Sequence, residues 1–534
     1  MDAVTTVPAP VNEPVRSYAP GSPERQSLEK KLAELAGSPA ELTMAIGGER
    51  RMGGGDETRV VQPHNHAHVL GVTRNATHAD ARAAVDATAA AAAGWRELPF
   101  EERAAIFLKA AELAAGPYRD VLNAATMLGQ SKTVQQAEID AACELVDFLR
   151  FNVSFARRIL ASQPESSPGV WNRLDHRPLE GFVYAITPFN FTAIAANLPS
   201  APALMGNTVI WKPSVTQQFA AHHTMALFAA AGLPAGVINM VTGDGLAVSD
   251  VALTHPDLAG IHFTGSTGTF QKLWATVGAN IASYRSYPRL VGETGGKDFV
   301  LAHPSACVSS LVTALVRGAF EYQGQKCSAA SRAYIPRSLW EGGVRDRLVA
   351  AAESLSYGDV TDPAQFGGAV IDGRAFARHA AALARADATD SCHILAGGTC
   401  DDSVGYFVRP TVIECTDPYD EVFTTEYFGP ILAVYVYDSL DSVFELVDRA
   451  SPYALTGAIF AQDRAALVAA GDRLRFTAGN LYLNDKPTGA VVGQQPFGGG
   501  RGSGTNDKAG SWHNLVRWTS PRTVKETFVP PVAF

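Results

Sequence analysis

The chain has 534 residues, which is too long for one hydrophobic core of usual size, so we expect two or three domains. Hydrophobic residues make up 46% of the chain and charged residues 18%, as is typical of a globular protein. The net charge is −9 and no basic run occurs, which argues against a surface for nucleic acid or anionic membranes. No apolar run approaches the roughly 18 residues that a membrane-spanning helix requires.

The first 45 residues are rich in proline and include a short polar helix pattern at 24–35, so we expect an arm lying on the surface. The first 26 residues contain proline, serine and acidic residues where a secretory signal would have a basic start and an apolar stretch. A transit segment would instead be rich in arginine and free of acidic residues. The sequence therefore predicts a cytoplasmic location.

The six cysteines are scattered without a C-x-x-C pair, so neither a zinc site nor a disulfide framework is indicated. His64, His66 and His68 alternate and would share one face of a strand. A solvated strand edge is the favoured interpretation of these three imidazoles. We therefore expect no metal.

Helical patterns dominate the part of the chain before residue 161. Amphipathic segments at 77–93 and 101–115 carry apolar residues at helical spacing, and a third helix is expected at 131–160. The apolar spacing in this third helix varies between three and five residues. Glu138 lies within it, and by default an acidic residue of such a helix faces solvent.

The pattern changes at Gly181, where short apolar runs begin to alternate with helices. Strands are predicted at 181–186, 208–212, 237–242 and 260–263, with a helix at 218–231 among them. This alternation is typical of an α/β fold with a doubly wound parallel sheet, which binds ligands where strand ends meet helix starts. The segment Gly265–Thr269 leads into a predicted helix, so its backbone N–H groups could bind a pyrophosphate; an ordinary turn is equally compatible. A second region of alternation follows at 289–500.

The segment EYQGQKCSA at 321–329 contains a thiol with an ammonium side chain directly before it. Lys326 precedes Cys327, and Gly324 makes the local backbone pliable. A nearby positive charge lowers the pKa of a thiol and so favours the nucleophilic thiolate. A small buried cysteine is the alternative. Cys327 is the candidate nucleophile if the chain also supplies an oxyanion donor, a base and an electron acceptor.

Sequence motifs in a fixed order between residues 187 and 499 identify a family resemblance. They are TPFN at 187–190, WKPS at 211–214, FTGS at 263–266, ETGGK at 293–297, GQKC at 324–327, EYFGP at 426–430 and PFGG at 496–499. The chain resembles the aldehyde dehydrogenase superfamily over nearly its whole length. Within it, the chain is most similar to the L-glutamate γ-semialdehyde dehydrogenases, through the segments 137–142, 187–192, 503–510 and 515–520.

The resemblance implies a reaction and the residues that perform it. The expected reaction is NAD-dependent oxidation of L-glutamate γ-semialdehyde, which is in equilibrium with Δ1-pyrroline-5-carboxylate, to L-glutamate in the second step of proline degradation. Cys327 would attack the aldehyde carbon, and Asn190 would stabilise the oxyanion of the thiohemiacetal. Glu293 would activate the water that hydrolyses the thioester. From the residues alone, a turn-capping role is the favoured interpretation of both Glu293 and Asn190.

The resemblance also implies binding residues. NAD is the cofactor that the family habitually uses, although Val215 follows Ser214 where many NAD-using relatives have Glu. The expected cofactor-binding residues are Thr187, Pro188, Phe189, Lys212, Ser214, Gly265, Ser266, Thr267, Gly268, Thr269, Glu426 and Phe428. The expected substrate-binding residues are Glu138 for the ammonium, Gly510, Ser511 and Ser328 for the carboxylate, Phe191 and Trp518 for the aliphatic stem, and Lys326.

An aldehyde dehydrogenase fold implies a Rossmann-like NAD-binding domain, an α/β catalytic domain and a small oligomerisation β-flap. The expected division is an N-terminal arm and the helical part of the NAD-binding domain at 1–168, an oligomerisation hairpin at 169–180, the NAD-binding α/β domain at 181–294, the catalytic domain at 295–509, and the substrate loop with the C-terminal strand at 510–534. We expect a homodimer or a dimer-based assembly. A separate proline dehydrogenase is the expected functional partner, since the chain has no room for that domain.

Other functions are open to a nucleophilic cysteine. An NAD(P)-dependent dehydrogenase of another small semialdehyde would use the same residues. A coenzyme-A-acylating dehydrogenase would not need Glu293. A non-redox cysteine acyl hydrolase would need a histidine near the nucleophile, and none is close to Cys327 in the sequence.

Overall fold

The structure, a computed structural model, describes residues 4–534; residues 1–3 of the predicted arm lie outside this range. Residues 4–22 form an arm that lies along the folded chain. The helices before residue 295 are α1 (Pro23–Ala36), α2 (His78–Glu97), α3 (Phe100–Ala115), α4 (Arg119–Gln130), α5 (Val134–Ala137), α6 (Glu144–Ala161), α7 (Thr192–Leu204), α8 (Gln218–Ala231), α9 (Leu246–Ala252) and α10 (Thr267–Ala279). The strands are β1 (Ala40–Glu41), β2 (Met44–Ile46), β3 (Glu49–Arg51), β4 (Glu57–Gln62), β5 (Asn65–Arg74), β6 (Val170–Pro178), β7 (Phe182–Thr187), β8 (Thr208–Pro213), β9 (Ile238–Met240), β10 (Leu258–Thr264) and β11 (Arg289–Glu293).

The first large sheet has the strand order β11-β10-β7-β8-β9-β2-β3. Its members from β7 to β11 pair in parallel, and β2 joins β9 in the antiparallel direction. The chain proceeds to one side of β7 through β8 and β9, and to the other side through β10 and β11. The order therefore reverses between β7 and β10, which is where doubly wound sheets bind ligands.

Both faces of this sheet are covered by helices, as a parallel sheet requires. Val183 and Trp211 pack on one face with residues of α3, α6, α7 and α8. Tyr184 and Ile210 pack on the other face with residues of α2, α9 and α10. The predicted strands and the helix at 218–231 are confirmed at these positions, and the sheet edge at β7 and β10 is held rigidly from both sides.

The second half of the chain forms another α/β layer. Its helices are α11 (Val308–Phe320), α12 (Arg337–Leu339), α13 (Arg345–Ser354), α14 (Gly373–Asp387), α15 (Glu421–Thr424), α16 (Leu440–Arg449), α17 (Arg464–Arg473) and α18 (Trp512–Val516). Its strands are β12 (Asp298–Ala302), β13 (Ala330–Pro336), β14 (Cys392–Ala396), β15 (Cys400–Asp401), β16 (Phe407–Val408), β17 (Thr411–Cys415), β18 (Ile431–Tyr437), β19 (Tyr453–Ala454), β20 (Thr456–Phe460), β21 (Asn480–Leu483), β22 (Gly500–Arg501) and β23 (Thr519–Thr527).

The second large sheet has the order β14-β17-β18-β13-β12-β20-β21. Strands β18, β13 and β12 are parallel neighbours, so the segments that precede them meet at one edge of the sheet. Those segments contain Glu426, Cys327 and Gly296. Three residues that are far apart in the sequence are thus brought to one place by strand order.

Strand β6 leaves the first layer and pairs antiparallel with β23 along its whole length, from Val170 opposite Thr527 to Pro178 opposite Thr519. Together they form a separate two-stranded sheet. The segment at 169–180, which was expected to form a hairpin, thus contains one strand, β6, whose partner is the C-terminal strand β23. The division of the chain into the five predicted domains stays a prediction.

The helix predicted at 131–160 is not continuous. It consists of α5, a π-helical segment at Glu138–Cys143, and α6. A π turn places five residues where an α turn has about four, so it rotates the side chains on its two sides relative to each other. The irregular apolar spacing of this stretch is the corresponding signal in the sequence.

The three alternating histidines do not form a solvated edge. Each ring contacts a different group: Nδ1 of His64 lies 3.2 Å from Ser131 Oγ, Nε2 of His66 2.8 Å from the Asp402 carbonyl, and Nε2 of His68 3.0 Å from the Ala36 carbonyl. His64 is buried in the turn between β4 and β5. Within residues 4–534, no helix combines the length and apolarity that crossing a bilayer would take.

Candidate active site

Cys327 lies on a loop between a 3-10 segment at Glu321–Gly324 and strand β13. Tyr322, Gln323 and Gly324 all have positive φ angles, of 51°, 53° and 63°. Gly324 is required here, because an added Cβ would lie 2.3 Å from the Gly429 carbonyl oxygen. The Gln323 side chain holds the loop by donating to the carbonyls of Ser131 and Ala369, at 3.0 and 2.7 Å. The loop that presents the thiol is therefore strained and firmly fixed.

A cavity of about 310 Å³ opens next to this thiol. Cys327, Glu293 and Phe191 all line it. A second, smaller cavity of about 20 Å³ places Cys327 beside Glu426 and Phe428. The structure thus brings together the predicted nucleophile, the predicted base and the predicted nicotinamide-side residues around one sulfur.

The expected effect of Lys326 on this thiol is corrected by the structure. The Lys326 ammonium lines the cavity, but its Nζ lies 3.6 Å from the Glu321 carboxylate. Burial raises the pKa of Cys327, and the nearby carboxylates of Asp298, Glu426 and Glu293 raise it further, whereas the Ser328 N–H lowers it. The sequence neighbour does not control the thiol, because the folded chain surrounds the sulfur with acidic groups.

Glu293 ends strand β11 and projects into the cavity. Its Oε2 accepts a hydrogen bond of 3.0 Å from the Gly499 N–H. Burial raises its pKa well above the ordinary value, and the Gly499 N–H and the Lys508 ammonium partly oppose this rise. A carboxylate with a raised pKa beside a nucleophile has the properties of a general base.

Asn190 follows strand β7 and is buried. Its Nδ2 donates to the carbonyl of Gln325 at 3.0 Å, two residues before Cys327. A side-chain amide has two N–H bonds, so this contact fixes the Asn190 amide and leaves its second N–H for another acceptor. The contact places Asn190 against the nucleophile loop, which fits its expected role as an oxyanion donor.

Apart from Glu426 and Phe428, the predicted cofactor residues lie at the ends of β7, β8 and β10, on both sides of the reversal in strand order. Thr187 is fixed by accepting from Trp211 Nε1 at 3.0 Å, and Lys212 Nζ donates to the Gly243 carbonyl at 3.1 Å. Burial lowers the pKa of Lys212 to about 8, and the nearby Asp244 opposes this effect. Ser214 Oγ lies 3.2 Å from Thr216 Oγ1, and Pro188 and Phe189 follow Thr187 in the same loop.

Helix α10 begins at this edge with the predicted segment 265–269. Ser266 is its N-cap, with Oγ accepting from the Thr269 N–H at 3.3 Å. Thr267 Oγ1 donates to Thr294 Oγ1 at 3.1 Å, which ties the helix start to the ETGGK segment. A Cβ added at Gly268 would meet nothing within 4 Å, so the first turn of the helix is open on that side. An anion can approach its unpaired N–H groups.

Glu426 and Phe428 stand across the thiol from the substrate cavity. The Glu426 carboxylate accepts a 2.8 Å hydrogen bond from the Gly296 N–H, and burial raises its pKa to about 7. A Cβ at Gly295 would lie 2.1 Å from Glu426 Oε2, so the glycine lets the carboxylate approach the backbone. Phe428 packs edge-on against Phe189, with ring centroids 5.7 Å apart.

These groups fit a dinucleotide. An open helix start and adjacent hydroxyls suit a pyrophosphate, the Lys212 ammonium suits an adenosine ribose, and the Glu426 carboxylate is an acceptor for ribose hydroxyls. These groups extend from the point between β7 and β10 where the strand order reverses to the thiol of Cys327. A dinucleotide held by them would have its reactive end beside Cys327.

The assignment of Glu138 to the substrate ammonium is corrected by the structure. Glu138 is fully buried, neither facing solvent nor lining the cavity. It binds the Arg119 guanidinium, Tyr18 Oη and Asn123 Nδ2, and it accepts a 2.8 Å hydrogen bond from the Arg16 N–H. Burial opposes its ionisation, but these donors outweigh burial and lower its pKa. Its carboxylate is therefore occupied by the protein itself.

Trp518, Gly510 and Ser511, which were expected to contact the substrate, do not line the cavity, whereas their neighbours Ala509 and Asn514 do. Trp518 is fully buried behind the cavity, where it stacks near His262 and donates to Asn514 Oδ1 at 3.4 Å. Ser511 is the N-cap of α18, and its hydroxyl donates to the Lys508 carbonyl at 2.6 Å. Gly510 lies beside it and does not line the cavity either. Their contact with the substrate stays a prediction.

The wall itself contains residues that the sequence did not single out as substrate-binding. Ser328, which was expected there, lines the cavity with the turn at 488–490, and its Oγ lies 2.8 Å from Thr488 Oγ1. Phe497 lines the cavity as Phe191 does. The PFGG motif contains Phe497 and could have indicated it. Glu144 lies on another part of the wall. Burial raises the pKa of its carboxyl group well above the ordinary value, and the nearby Asp140 raises it further.

Within residues 4–534, the side chains that come nearest to a set of metal ligands are those of Cys392, Cys415 and Asp420, and none of them lines the cavity. The two cysteines are cross-strand partners in β14 and β17. Arg385 already binds both oxygens of the Asp420 carboxylate, at 2.5 and 3.1 Å. This group is a satisfied part of the second layer's core.

Comparison with known proteins agrees with this arrangement. A sequence model of the aldehyde dehydrogenase family matches residues 51–524. The probable delta-1-pyrroline-5-carboxylate dehydrogenase of Schizosaccharomyces pombe is 50% identical over 533 residues, covering 98% of this chain and 96% of that relative. The crystal structure of the delta-pyrroline-5-carboxylate dehydrogenase from Mycobacterium tuberculosis bound with NAD is similar with a TM-score of 0.97 and 63% identity, covering 100% of this chain and 98% of that one.

A larger protein shares the fold. The crystal structure of proline utilization A (PutA) from Bdellovibrio bacteriovorus is similar with a TM-score of 0.92 and 29% identity. The similarity covers 98% of this chain but 54% of that protein. The chain thus corresponds to about half of the larger protein.

Proposed function

The chain belongs to the aldehyde dehydrogenase family, and we propose that it oxidises L-glutamate γ-semialdehyde, in equilibrium with Δ1-pyrroline-5-carboxylate, to L-glutamate with NAD. One observation carries the proposal. Cys327 and Glu293 line one cavity whose other walls offer hydrogen-bond donors, aromatic rings and carboxylates. These are the groups needed by a short aldehyde with a carboxylate and an ammonium at its far end.

The first covalent step belongs to Cys327. Its thiol first releases its proton to solvent, and the thiolate then attacks the aldehyde carbon and forms a thiohemiacetal. The oxyanion of the thiohemiacetal is stabilised by the second N–H of Asn190 and the N–H of Cys327. One such donor contributes about 3 kcal/mol to transition-state stabilisation. Bound NAD accepts the hydride that leaves this carbon. The product held by Cys327 is a glutamyl thioester.

The second step belongs to Glu293. Its carboxylate takes a proton from water, and the resulting hydroxide attacks the thioester carbon. The carbon–sulfur bond then breaks, which releases L-glutamate and leaves Cys327 as the thiolate. The Gly499 N–H fixes the carboxylate, and the Lys508 ammonium holds the segment that carries this N–H by donating to the Gly498 carbonyl at 3.0 Å. The raised pKa makes Glu293 a stronger base than an exposed glutamate.

Substrate orientation follows from the cavity wall. Ser328 and the backbone of the 488–490 turn provide donors for the α-carboxylate, and Gly489 takes a φ of 96° that favours glycine. Phe191 and Phe497 lie along the aliphatic stem. Glu144, on the remaining wall, is the acidic group for the α-ammonium.

The assembly and the setting of the enzyme are further parts of the proposal. The two-stranded sheet of β6 and β23 exposes Trp171, half of whose surface is accessible, which supports a homodimer built on this sheet. A separate proline dehydrogenase is the proposed supplier of the substrate, in line with the similarity to about half of a proline utilization protein. We propose a cytoplasmic location, which cell fractionation tests.

The experiment that tests the function measures NAD reduction with three substrates. Δ1-pyrroline-5-carboxylate, succinate semialdehyde and propanal are compared at equal concentrations, with Cys327→Ala as the inactive control. We expect kcat/KM to be highest for pyrroline-5-carboxylate, because only this substrate uses both the carboxylate and the ammonium contacts. A higher kcat/KM for succinate semialdehyde would show that another semialdehyde is the preferred substrate. Turnover by Cys327→Ala would contradict the role of Cys327 as the nucleophile.

A further inference from the structure

The N-terminal arm reaches the substrate cavity. Asn12, Glu13 and Val15 line the same cavity as Cys327 and Ser328. These arm residues are more than 300 positions away from the nucleophile in the sequence. An arm that merely covered the surface would not share a wall with the reacting thiol.

One side chain of the arm joins two walls of the cavity. Asn12 Nδ2 donates to Asp147 Oδ2 on α6 at 2.8 Å and to the Val492 carbonyl at 2.9 Å. Its Oδ1 accepts from Gln494 Nε2 at 2.9 Å. Both the α6 side and the segment at 488–495 line the cavity. Asn12 therefore fixes the distance between α6 and the turn that faces the substrate carboxylate.

The arm is anchored firmly enough to act as a wall. The Glu13 N–H donates to Asp147 Oδ1 at 2.7 Å, and the Glu13 carboxylate accepts from Arg119 and Arg150 at 2.5 and 2.8 Å. Glu138 receives the next part of the arm, the N–H of Arg16 and the hydroxyl of Tyr18. Glu138, which was expected to bind the substrate ammonium, thus anchors the arm.

We propose that residues 12–15 form the outer wall of the substrate pocket and restrict it to short substrates with a terminal carboxylate. This inference rests on the proposed function and names a specificity element for it. Asn12 is a positioning residue, because it acts through the 488–495 segment rather than on the reacting atoms. Val15, 54% exposed, lies at the solvent side of the wall and limits the length of the substrate.

The test compares Asn12→Ala with Thr5→Ala, a matched control in the same arm. Thr5 Oγ1 donates to Glu101 at 2.7 Å and does not line the cavity. For Asn12→Ala we expect the KM for pyrroline-5-carboxylate to rise about tenfold at nearly constant kcat, because the segment that donates to the substrate carboxylate would lose its link to α6. The kcat/KM for hexanal is expected to stay equal or to rise. Thr5→Ala should change neither the KM for pyrroline-5-carboxylate nor the kcat/KM for hexanal.

The possible outcomes distinguish the role of the arm from the proposed dehydrogenase function. Failure of the wild-type enzyme to oxidise pyrroline-5-carboxylate would overturn the proposed function itself. A wild-type enzyme that is active, with Asn12→Ala keeping the wild-type preference for pyrroline-5-carboxylate over hexanal, would overturn only the arm's role. An equal loss in Asn12→Ala and Thr5→Ala would also overturn it, because general destabilisation would then explain both.

Val15→Ala provides an independent variant, because its exposed side chain makes no hydrogen bond that folding depends on. We expect it to raise the kcat/KM for hexanal severalfold relative to the kcat/KM for pyrroline-5-carboxylate. The melting temperature of each variant is measured in parallel. An unchanged hexanal value in a folded Val15→Ala enzyme would contradict the length restriction.

Discussion

Glu293 is the residue whose replacement separates the two halves of the proposed reaction. Glu293→Gln keeps the shape of the side chain but cannot take a proton from water. We expect a burst of NADH followed by turnover that is roughly 10²- to 10⁴-fold slower, since thioester hydrolysis loses its general base. Stopped-flow absorbance measures both phases. Steady production from the start at the wild-type rate would contradict the role of Glu293.

The same residue sets the direction of the pH dependence. Burial raises the pKa of Glu293, so its basic form is lost as pH falls through this raised value and gained as pH rises. Wild-type turnover limited by hydrolysis should therefore increase with pH across this range. The slow phase of Glu293→Gln should lack this increase, so the variant serves as the control for the pH dependence of the wild type.

At the residue scale, the motifs located the reacting groups but only part of the substrate wall, namely Phe191, Lys326 and Ser328. Cys327, Glu293 and Asn190 were identifiable through the motifs that carry the family resemblance, in which a thiol, a carboxylate and an amide each suit one chemical step. Glu138 and Trp518 were assigned by resemblance alone and lie behind the wall. Sequence position does not reveal which side of a helix faces a cavity when the helix is irregular.

At the element scale, the irregular helix explains this error. The π-helical segment begins at Glu138, so the side chains that follow it rotate away from the regular pattern. Asp140, Cys143 and Glu144 face the cavity as a result, whereas Glu138 faces the arm. The strands β7, β8 and β10 were predictable because their apolar runs are regular and end at helix starts.

The pair of strands β6 and β23 carries the prediction about assembly. Trp171 is 51% exposed in β6, and burying such a ring at an interface would stabilise a dimer. We expect Trp171→Glu to shift the enzyme towards monomer in sedimentation velocity at micromolar concentration, because a charge would replace the apolar contact.

The control for this measurement is Phe476→Glu, which changes an aromatic residue that is 79% exposed elsewhere on the surface. It should sediment as the wild type does. A wild-type enzyme that is monomeric at the same concentration would refute the dimer.

At the scale of the whole molecule, the site exists because two sheets meet. The first sheet contributes Asn190 and Glu293 from the ends of β7 and β11, and the second contributes Cys327 and Glu426 from the segments before β13 and β18. The α/β class followed from the alternation of strands and helices. The arm's place at the cavity could not be predicted, because its proline-rich sequence has no periodicity and its partners are distant in the chain.

The central claim is that one sulfur carries the substrate through oxidation and hydrolysis. The most direct measurement is mass spectrometry of Glu293→Gln, quenched in acid after mixing with NAD and pyrroline-5-carboxylate. We predict one added glutamyl group, located on the peptide that contains Cys327 and missing from the double variant with Cys327→Ala. NADH formation without this adduct, or an adduct on another cysteine, would contradict the account.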